Sequence, residues 1–408
     1  MSTSSAEPGD GDRAHESSAI TRAHESSASA RAHESSAITR AHESSAITRA
    51  HESSAMARAR ELGAGALGRT SPNPAVGAVI LDPNGVPVGE GATQPPGGPH
   101  AEVVALRLAG DRARGGTAVV TLEPCAHTGR TGPCVDALLA AGIARVVVAV
   151  PEPTQVAGGG AARLRAAGVD VELGVERARA EAGALAAWLT GVREQRPFVV
   201  WKTATTLDGR VAAADGTSRW ITGEQARAAV HRLRATCDAV VVGSGTVLID
   251  DPQLTVRDEH GRDAERQPLR VVVDRRGRVP EAARVLDDAA PTHVSRAATP
   301  ADLLAELFGR NVRRVLLEGG PTLAAAFLRD GLVDEAVVHL APTLLGAGAA
   351  LVGDLGISTI ADALSLSIVE VTPLGGDVQL RLRPTRHTEG QQHGDVHADG
   401  GSQRCSPA

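Results

Sequence analysis

One imidazole (His100) and two thiols (Cys125 and Cys134) lie near one another in the sequence, with a carboxylate, Glu102, two residues from the imidazole. A hydrolytic zinc site needs three protein ligands and one open position for water, and such a metal brings the pKa of that water down to about 7. The donor set fits that count. Deamination also needs a group that moves protons from the water to a ring nitrogen and a leaving amine, and Glu102 is the carboxylate placed for it. Residues i and i+2 cannot share one face of a regular helix, so His100, preceded by Pro99, belongs at a helix entrance. Cys134 follows Pro133, a residue suited to the first helical position. Its thiol then falls in a first turn, where the positive end of the dipole favours thiolate. His-x-Glu with Pro-Cys-x-x-Cys is the zinc-deaminase signature. Here eight residues separate the cysteines, a departure that leaves two unrelated buried thiols and a surface histidine as the competing reading.

The second half carries weaker signals. Gly243-Ser244-Gly245 is too short to be a dinucleotide fingerprint. Glu318-Gly319-Gly320-Pro321-Thr322 follows an apolar run and precedes a helical pattern. Glycines let backbone approach a ligand, and free amides at a helix N-terminus attract phosphate. An ordinary strand-to-helix turn accounts for these residues equally well.

The elements that must position these groups alternate along the chain. Strands are expected at 76–81, 86–90, 117–121 and 146–150, with helices from Met56, over 101–109 and from Pro133. After residue 197 the expected strands are 198–203, 239–242, 269–274, 312–317 and 335–340. Thr222 with Gln225 has the form of a capping box opening a helix to about Arg234. Strands separated by helices imply α/β architecture. Residues 13–57 hold a nine-residue repeat, Arg-Ala-His-Glu-Ser-Ser-Ala followed by two variable residues, which offers almost nothing to bury and is expected to be disordered or loosely helical over 1–55. The polar tail, 385–408, is expected to be disordered as well. With 408 residues, three Trp, three Phe and no Tyr, the cores must be built from Ala, Val and Leu. So few aromatics, with a net charge of −6, argue against a nucleic-acid partner. No run reaches transmembrane length and no secretory signal opens the chain, so a cytoplasmic location is expected.

The segment Thr121-Leu122-Glu123-Pro124-Cys125 through Pro133-Cys134 resembles the deaminase domain of the bifunctional riboflavin-biosynthesis deaminase–reductases, a family in which the long cysteine spacing is normal. Ser71-Pro72-Asn73-Pro74-Ala75-Val76-Gly77 and Pro99-His100-Ala101-Glu102 resemble it too. Lys202 to Arg210, Ser218 to Thr222 and Gly245 to Pro252 are similar to its reductase domain. Pro151-Glu152-Pro153-Thr154 departs from the Asp-Pro-x-Pro run usual there.

The resemblance implies a cytidine-deaminase-like three-layer domain over 56–196 and a dihydrofolate-reductase-like domain over 197–384. It implies zinc on His100, Cys125 and Cys134, and Glu102 as the proton carrier. The substrate would be a small phosphoribosyl pyrimidine, its ring edge held by Asn73, with His127, Thr128 and Arg130 near the phosphoribosyl arm. NADPH would be lined by Ala204, Trp220, Thr246, Asp250, Arg275 and the run Gly320, Pro321, Thr322, Leu323, Ala324, Ala325, Ala326. Arg275 stands where a small polar residue is expected, so it would pair with the extra phosphate of NADPH. Ser218, Arg234, Leu254, Arg257 and Glu318 would hold the substrate, the two arginines as forks on its phosphate. Lys202 and Asp208 are candidates for catalytic or organising roles. Homo-oligomerisation stays open.

Overall fold

The computed structural model describes residues 46–127 and 132–385. The first three repeat copies and most of the fourth, Thr128, Arg130 and the tail from 386 lie outside them. Two compact units emerge. The first runs to Phe198 and takes in Thr236–Asp238 and Ala305–Arg313; the second holds Val199–Ala235, Ala239–Leu304 and the chain from Arg314 onward.

Helix α1 spans 46–66. It begins ten residues before the expected start at Met56, at the end of the fourth repeat copy, and runs through the whole of the last. Glu52, Ala55, Met56 and Ala59 recur at i, i+3, i+4 and i+7, and all four are buried. The last repeat copy thus contributes Glu52, Ala55 and Met56 to a helical face that packs on the core. Arg145 then pairs with the Glu52 carboxylate, Nε to Oε1 at 2.7 Å.

The first sheet has the order β2-β1-β3-β4-β5, built from β1 (Gly77–Leu81), β2 (Pro87–Ala92), β3 (Thr117–Leu122), β4 (Arg145–Val150) and β5 (Asp170–Leu173). β1 is antiparallel to both neighbours, while β3, β4 and β5 run parallel. The interior of these strands is almost entirely Val and Ala. With small side chains, helices can lie directly on the strands. A Cβ at Gly77 would stand 1.8 Å from Ala59 O of α1, and one at Gly91 would stand 2.2 Å from Ala101 O. Gly91 thereby seats helix α2 (Ala101–Ala109), whose entrance carries His100. Helices α3 (Cys134–Ala140), α4 (Gly160–Ala166), α5 (Arg177–Glu181) and α6 (Ala186–Glu194) complete the unit.

The second sheet has eight strands in the order β12-β13-β11-β6-β10-β7-β8-β9. They are β6 (Phe198–Thr206), β7 (Ala239–Gly243), β8 (Leu269–Val273), β9 (Thr292–Ser295), β10 (Arg314–Leu317), β11 (Glu335–Ala341), β12 (Leu366–Leu374) and β13 (Asp377–Pro384). β11 runs parallel to β6, and β10, β7, β8 and β9 run parallel to one another. Helices α7 (Glu224–Ala235), α8 (Ser244–Asp250), α9 (Pro300–Gly309) and α10 (Pro321–Arg329) connect them. The hairpin β12–β13 and the short β9 were not among the expected strands. The capping box also differs: α7 starts at Glu224, and the Gly223 N–H donates to the Asp377 carboxylate at 2.7 Å. The carboxylate that meets the start of this helix comes from the distant β13. Among the described residues no helix is long and apolar enough to cross a membrane.

Candidate metal centre and reductase cleft

In the first unit, three elements converge on one point. His100 is the N-cap residue of α2 with extended backbone, so its ring projects from the helix entrance. Cys125 lies just past the end of β3, and Cys134 opens α3. His100 Nδ1 stands 3.2 Å from Cys134 Sγ and 3.6 Å from Cys125 Sγ. The three donor atoms lie within 4.8 Å of one another, and both cysteines are buried. The Cys134 N–H donates to Cys125 Sγ at 3.4 Å, which fixes the second cysteine's entry turn against the first.

The electrostatics of this cluster call for a cation. Cys134 donates to Cys125 and, with His100, holds the Cys125 thiol well below its ordinary pKa. The same pairing and burial push the Cys134 thiol up. One thiolate therefore forms at the expense of the other, whereas a divalent ion stabilises both. Glu102 lies in the first turn of α2, 4% exposed, and burial raises its carboxyl above the usual range. Zinc fits this donor set.

The other expected residues of this unit are placed less decisively. Asn73 is exposed in the turn before β1, its N–H donating to Thr70 O at 2.8 Å. The ring of His127 is half-buried, and its Nδ1 is without a hydrogen-bond partner. The departure at 151–154 builds its own turn: Glu152 Oε1 accepts from the Thr154 N–H at 3.0 Å and from its hydroxyl at 2.6 Å.

The second unit has a cavity of about 810 Å³ at the C-terminal ends of its parallel strands, the usual place for ligands in such sheets. Lys202, Ala204, Ser218, Thr246, Asp250, Arg275 and Glu318 line it, together with Gly320, Pro321, Thr322, Leu323 and Ala326. Ala324 and Ala325 are buried on the inner side of α10 and do not line it. Glycines open the wall: a Cβ at Gly319 would stand 2.7 Å from the Leu323 side chain. Gly320 caps α10 and Pro321 is its first residue, so free amides face the space where a dinucleotide's phosphates would sit.

Several expectations meet a different geometry here. Trp220 is 70% exposed and stacks on Arg227, with the guanidinium 4.7 Å from its ring, away from the cavity lining. Arg234 is committed to Glu318 by two hydrogen bonds of 2.6 and 2.9 Å and to Thr255 O by a third. Its fork is occupied by a carboxylate, so it does not stand free for a phosphate. Arg257 bonds Gln253 Oε1 at 2.5 Å and approaches Asp263 at 3.6 Å, outside the cavity lining. Leu254 is buried with a left-handed φ of 59°. Asp208 accepts from the Thr206 hydroxyl and from the Leu345 and Gly346 N–H groups, which hold its carboxyl down to about 2. It organises a turn.

Lys202 is the cation facing the Glu318–Arg234 pair: burial lowers its pKa, the Glu318 charge opposes that shift, and the Arg234 charge adds to it. Sequence reasoning missed Arg278 and Ser244, which line the cavity joined by a 2.8 Å hydrogen bond. The basic Arg275-Arg276-Gly277-Arg278 turn after β8 was the available signal.

Comparison with known proteins agrees with this geometry. Residues 49–150 match the cytidine and deoxycytidylate deaminase zinc-binding region, and 197–380 match the RibD C-terminal domain. The riboflavin biosynthesis protein RibD of Mycobacterium tuberculosis is 52% identical over 315 residues, which cover 77% of this chain and 92% of that protein. The Escherichia coli protein of the same name is 42% identical, covering 77% and 94%. Among solved structures, RibD of Acinetobacter baumannii aligns with a TM-score of 0.74 at 41% identity, over 82% of this chain and 99% of that one. The Thermotoga maritima deaminase/reductase aligns with a TM-score of 0.75 at 34% identity, over 83% and 100%. Both halves are thus matched in sequence and in fold, and the chain belongs to the RibD family, the bifunctional deaminase–reductases of riboflavin biosynthesis that use zinc in one domain and NADPH in the other.

Proposed function

We propose that the two sites act in turn on one small molecule in the cytoplasm: a diaminohydroxyphosphoribosylaminopyrimidine is deaminated on its ring, and its ribosyl chain is then reduced to ribityl. The observation that carries the first step is the convergence of His100, Cys125 and Cys134 within 4.8 Å beside the buried Glu102. Held by those three residues, zinc supplies activation of water near neutral pH. Glu102 does the proton work. Burial raises its pKa above the usual carboxylate range, which suits the carboxyl group to taking a proton from the attacking water and delivering it to the ring nitrogen and the departing amine.

For the second step NADPH supplies hydride, and the sugar also requires a proton. Lys202 is the donor we favour, because burial weakens its hold on a proton and it lines the cavity. Arg234 keeps Glu318 charged and aimed, since the guanidinium offsets the burial that would otherwise raise its pKa. Arg257 and Ser218 are proposed to hold the phosphoribosyl arm, and Asn73 the pyrimidine edge.

The test is product mass after incubation with the pyrimidine substrate, with and without NADPH. Without NADPH only the deaminated intermediate should accumulate. Glu102→Gln should keep one zinc per chain and lose about 10²–10⁴ of the deamination rate. Zinc lost in that variant would make Glu102 a ligand, and unchanged turnover would remove it from the mechanism.

A further inference from the structure

We infer that Glu123 is a positioning residue of the deaminase centre, its carboxylate tying both ends of the 152–161 loop to the strand end that presents Cys125. The inference rests on the reading that His100, Cys125 and Cys134 hold the metal. Glu123 lies between the end of β3 and Pro124, 9% exposed. Both oxygens are used, and both partners are backbone. Oε2 accepts the Glu152 N–H at 3.0 Å, and Oε1 accepts the Ala161 N–H in the first turn of α4 at 2.8 Å. One side chain thus closes a loop whose two ends are nine residues apart.

The rest of the contact is backbone on backbone. The Ala126 N–H donates to Ala157 O at 3.3 Å, so the loop's middle grips the residue after Cys125. A Cβ at Gly160 would stand 1.8 Å from Pro124 O, so the loop's far end presses on the carbonyl just before Cys125. Cys125 is therefore held through its flanks, by a loop that the Glu123 side chain fastens at both ends. The loop also presents Val156, 80% exposed.

Glu123→Gln keeps size and shape but has one acceptor oxygen, and its amide nitrogen faces an N–H. One of the two ties must break. Residues that orient metal ligands from behind typically change metal affinity or activity by about 10–100-fold. The experiment uses the full zinc-loaded chain and reads three quantities: the rate of zinc transfer to a chromogenic chelator, kcat and KM for deamination, and reduction of the deaminated intermediate. We expect E123Q to release zinc about tenfold faster or more, with a raised KM for deamination and unchanged reduction. Zinc release and KM both within twofold of the parent would overturn the inference. So would equal loss of reduction, because Glu123 would then support folding at large. A parent chain that binds no zinc would instead overturn the metal reading beneath it, and that result is visible before any variant is made.

Discussion

Arg275 illustrates how one side chain can carry more information than its motif. It occupies a place where the family resemblance leads one to expect a small polar residue, and it lines the cavity together with Arg278. Arg278 is already fixed, by its hydrogen bond to the Ser244 hydroxyl and by the Asp274 carboxylate accepting its N–H at 3.0 Å. A second guanidinium lining the same cavity as the fixed first one suits a dianion such as the 2′-phosphate of NADPH. Arg275→Ala should then weaken NADPH about tenfold to a hundredfold, the loss of one charged hydrogen bond of about 1.5–3 kcal/mol. NADH affinity should hold, as titration of both nucleotides would read directly. Equal weakening of the two would place Arg275 elsewhere on the cofactor. Arg234 gives the opposite lesson: its type suggested a phosphate clamp, and the structure gives that fork to Glu318. Arg234→Ala should leave a buried carboxylate unpaired and abolish reduction, an effect that a phosphate contact alone would not produce. Glu318→Gln in the same background should restore folding but not turnover.

At the scale of elements, α1 marks where sequence reasoning stopped short. The nine-residue repeat looks featureless because it gives the buried helical face only Glu52, Ala55 and Met56, with Ala59 beyond it, and Glu52 is buried through its pairing with Arg145. No local pattern reveals that partner, since Arg145 lies 93 residues away. The entrance of α2, the strands β3 and β4 and the first turn of α3 were legible, because the prolines, the valine runs and the metal donors point the same way. The cap of α7 was not, because Asp377 reaches Gly223 from another strand. A chain beginning at Met56 loses the Glu52 carboxylate and the turn carrying it. Arg145 keeps Asp170 and Glu172, so the cost should be about 1.5–3 kcal/mol. A chain beginning at residue 46 should melt like the full protein, and equal melting of both would show the turn to be idle. Glu335 offers a pH signature in β11. It is 2% exposed; burial pushes its pKa up, but Arg314 and Arg381 bring it below the usual carboxylate range. A depressed carboxyl stabilises above its unfolded pKa of about 4.3 and loses that contribution as pH falls through its folded pKa. Glu335→Gln should therefore destabilise at pH 7, and the difference should shrink as denaturation is repeated toward pH 3. A constant difference would mean packing rather than charge.

Across the whole molecule, each unit has its own sheet, its own core and its own set of reactive groups. The donors of the metal centre all belong to the first unit, and every residue lining the cavity belongs to the second. Metal removal therefore separates the two activities without a mutation. In the stripped chain the thiols and imidazole of the first unit lose the ion that allows both cysteines to ionise. That unit should lose deamination fully and some of its thermal stability, since ligands that bind only the folded state stabilise it by mass action. The Lys202, Glu318 and Arg234 cluster contains no metal donor set, so its geometry should persist. We expect the zinc-free chain to reduce the deaminated intermediate with NADPH at the parent rate, and to regain deamination when zinc is restored. Calorimetry should show the lower-temperature transition moving upward on zinc addition while the other stays in place. Loss of reduction on stripping, reversed by zinc, would mean that the second site depends on the folded first unit, and independence of the two would have to be abandoned.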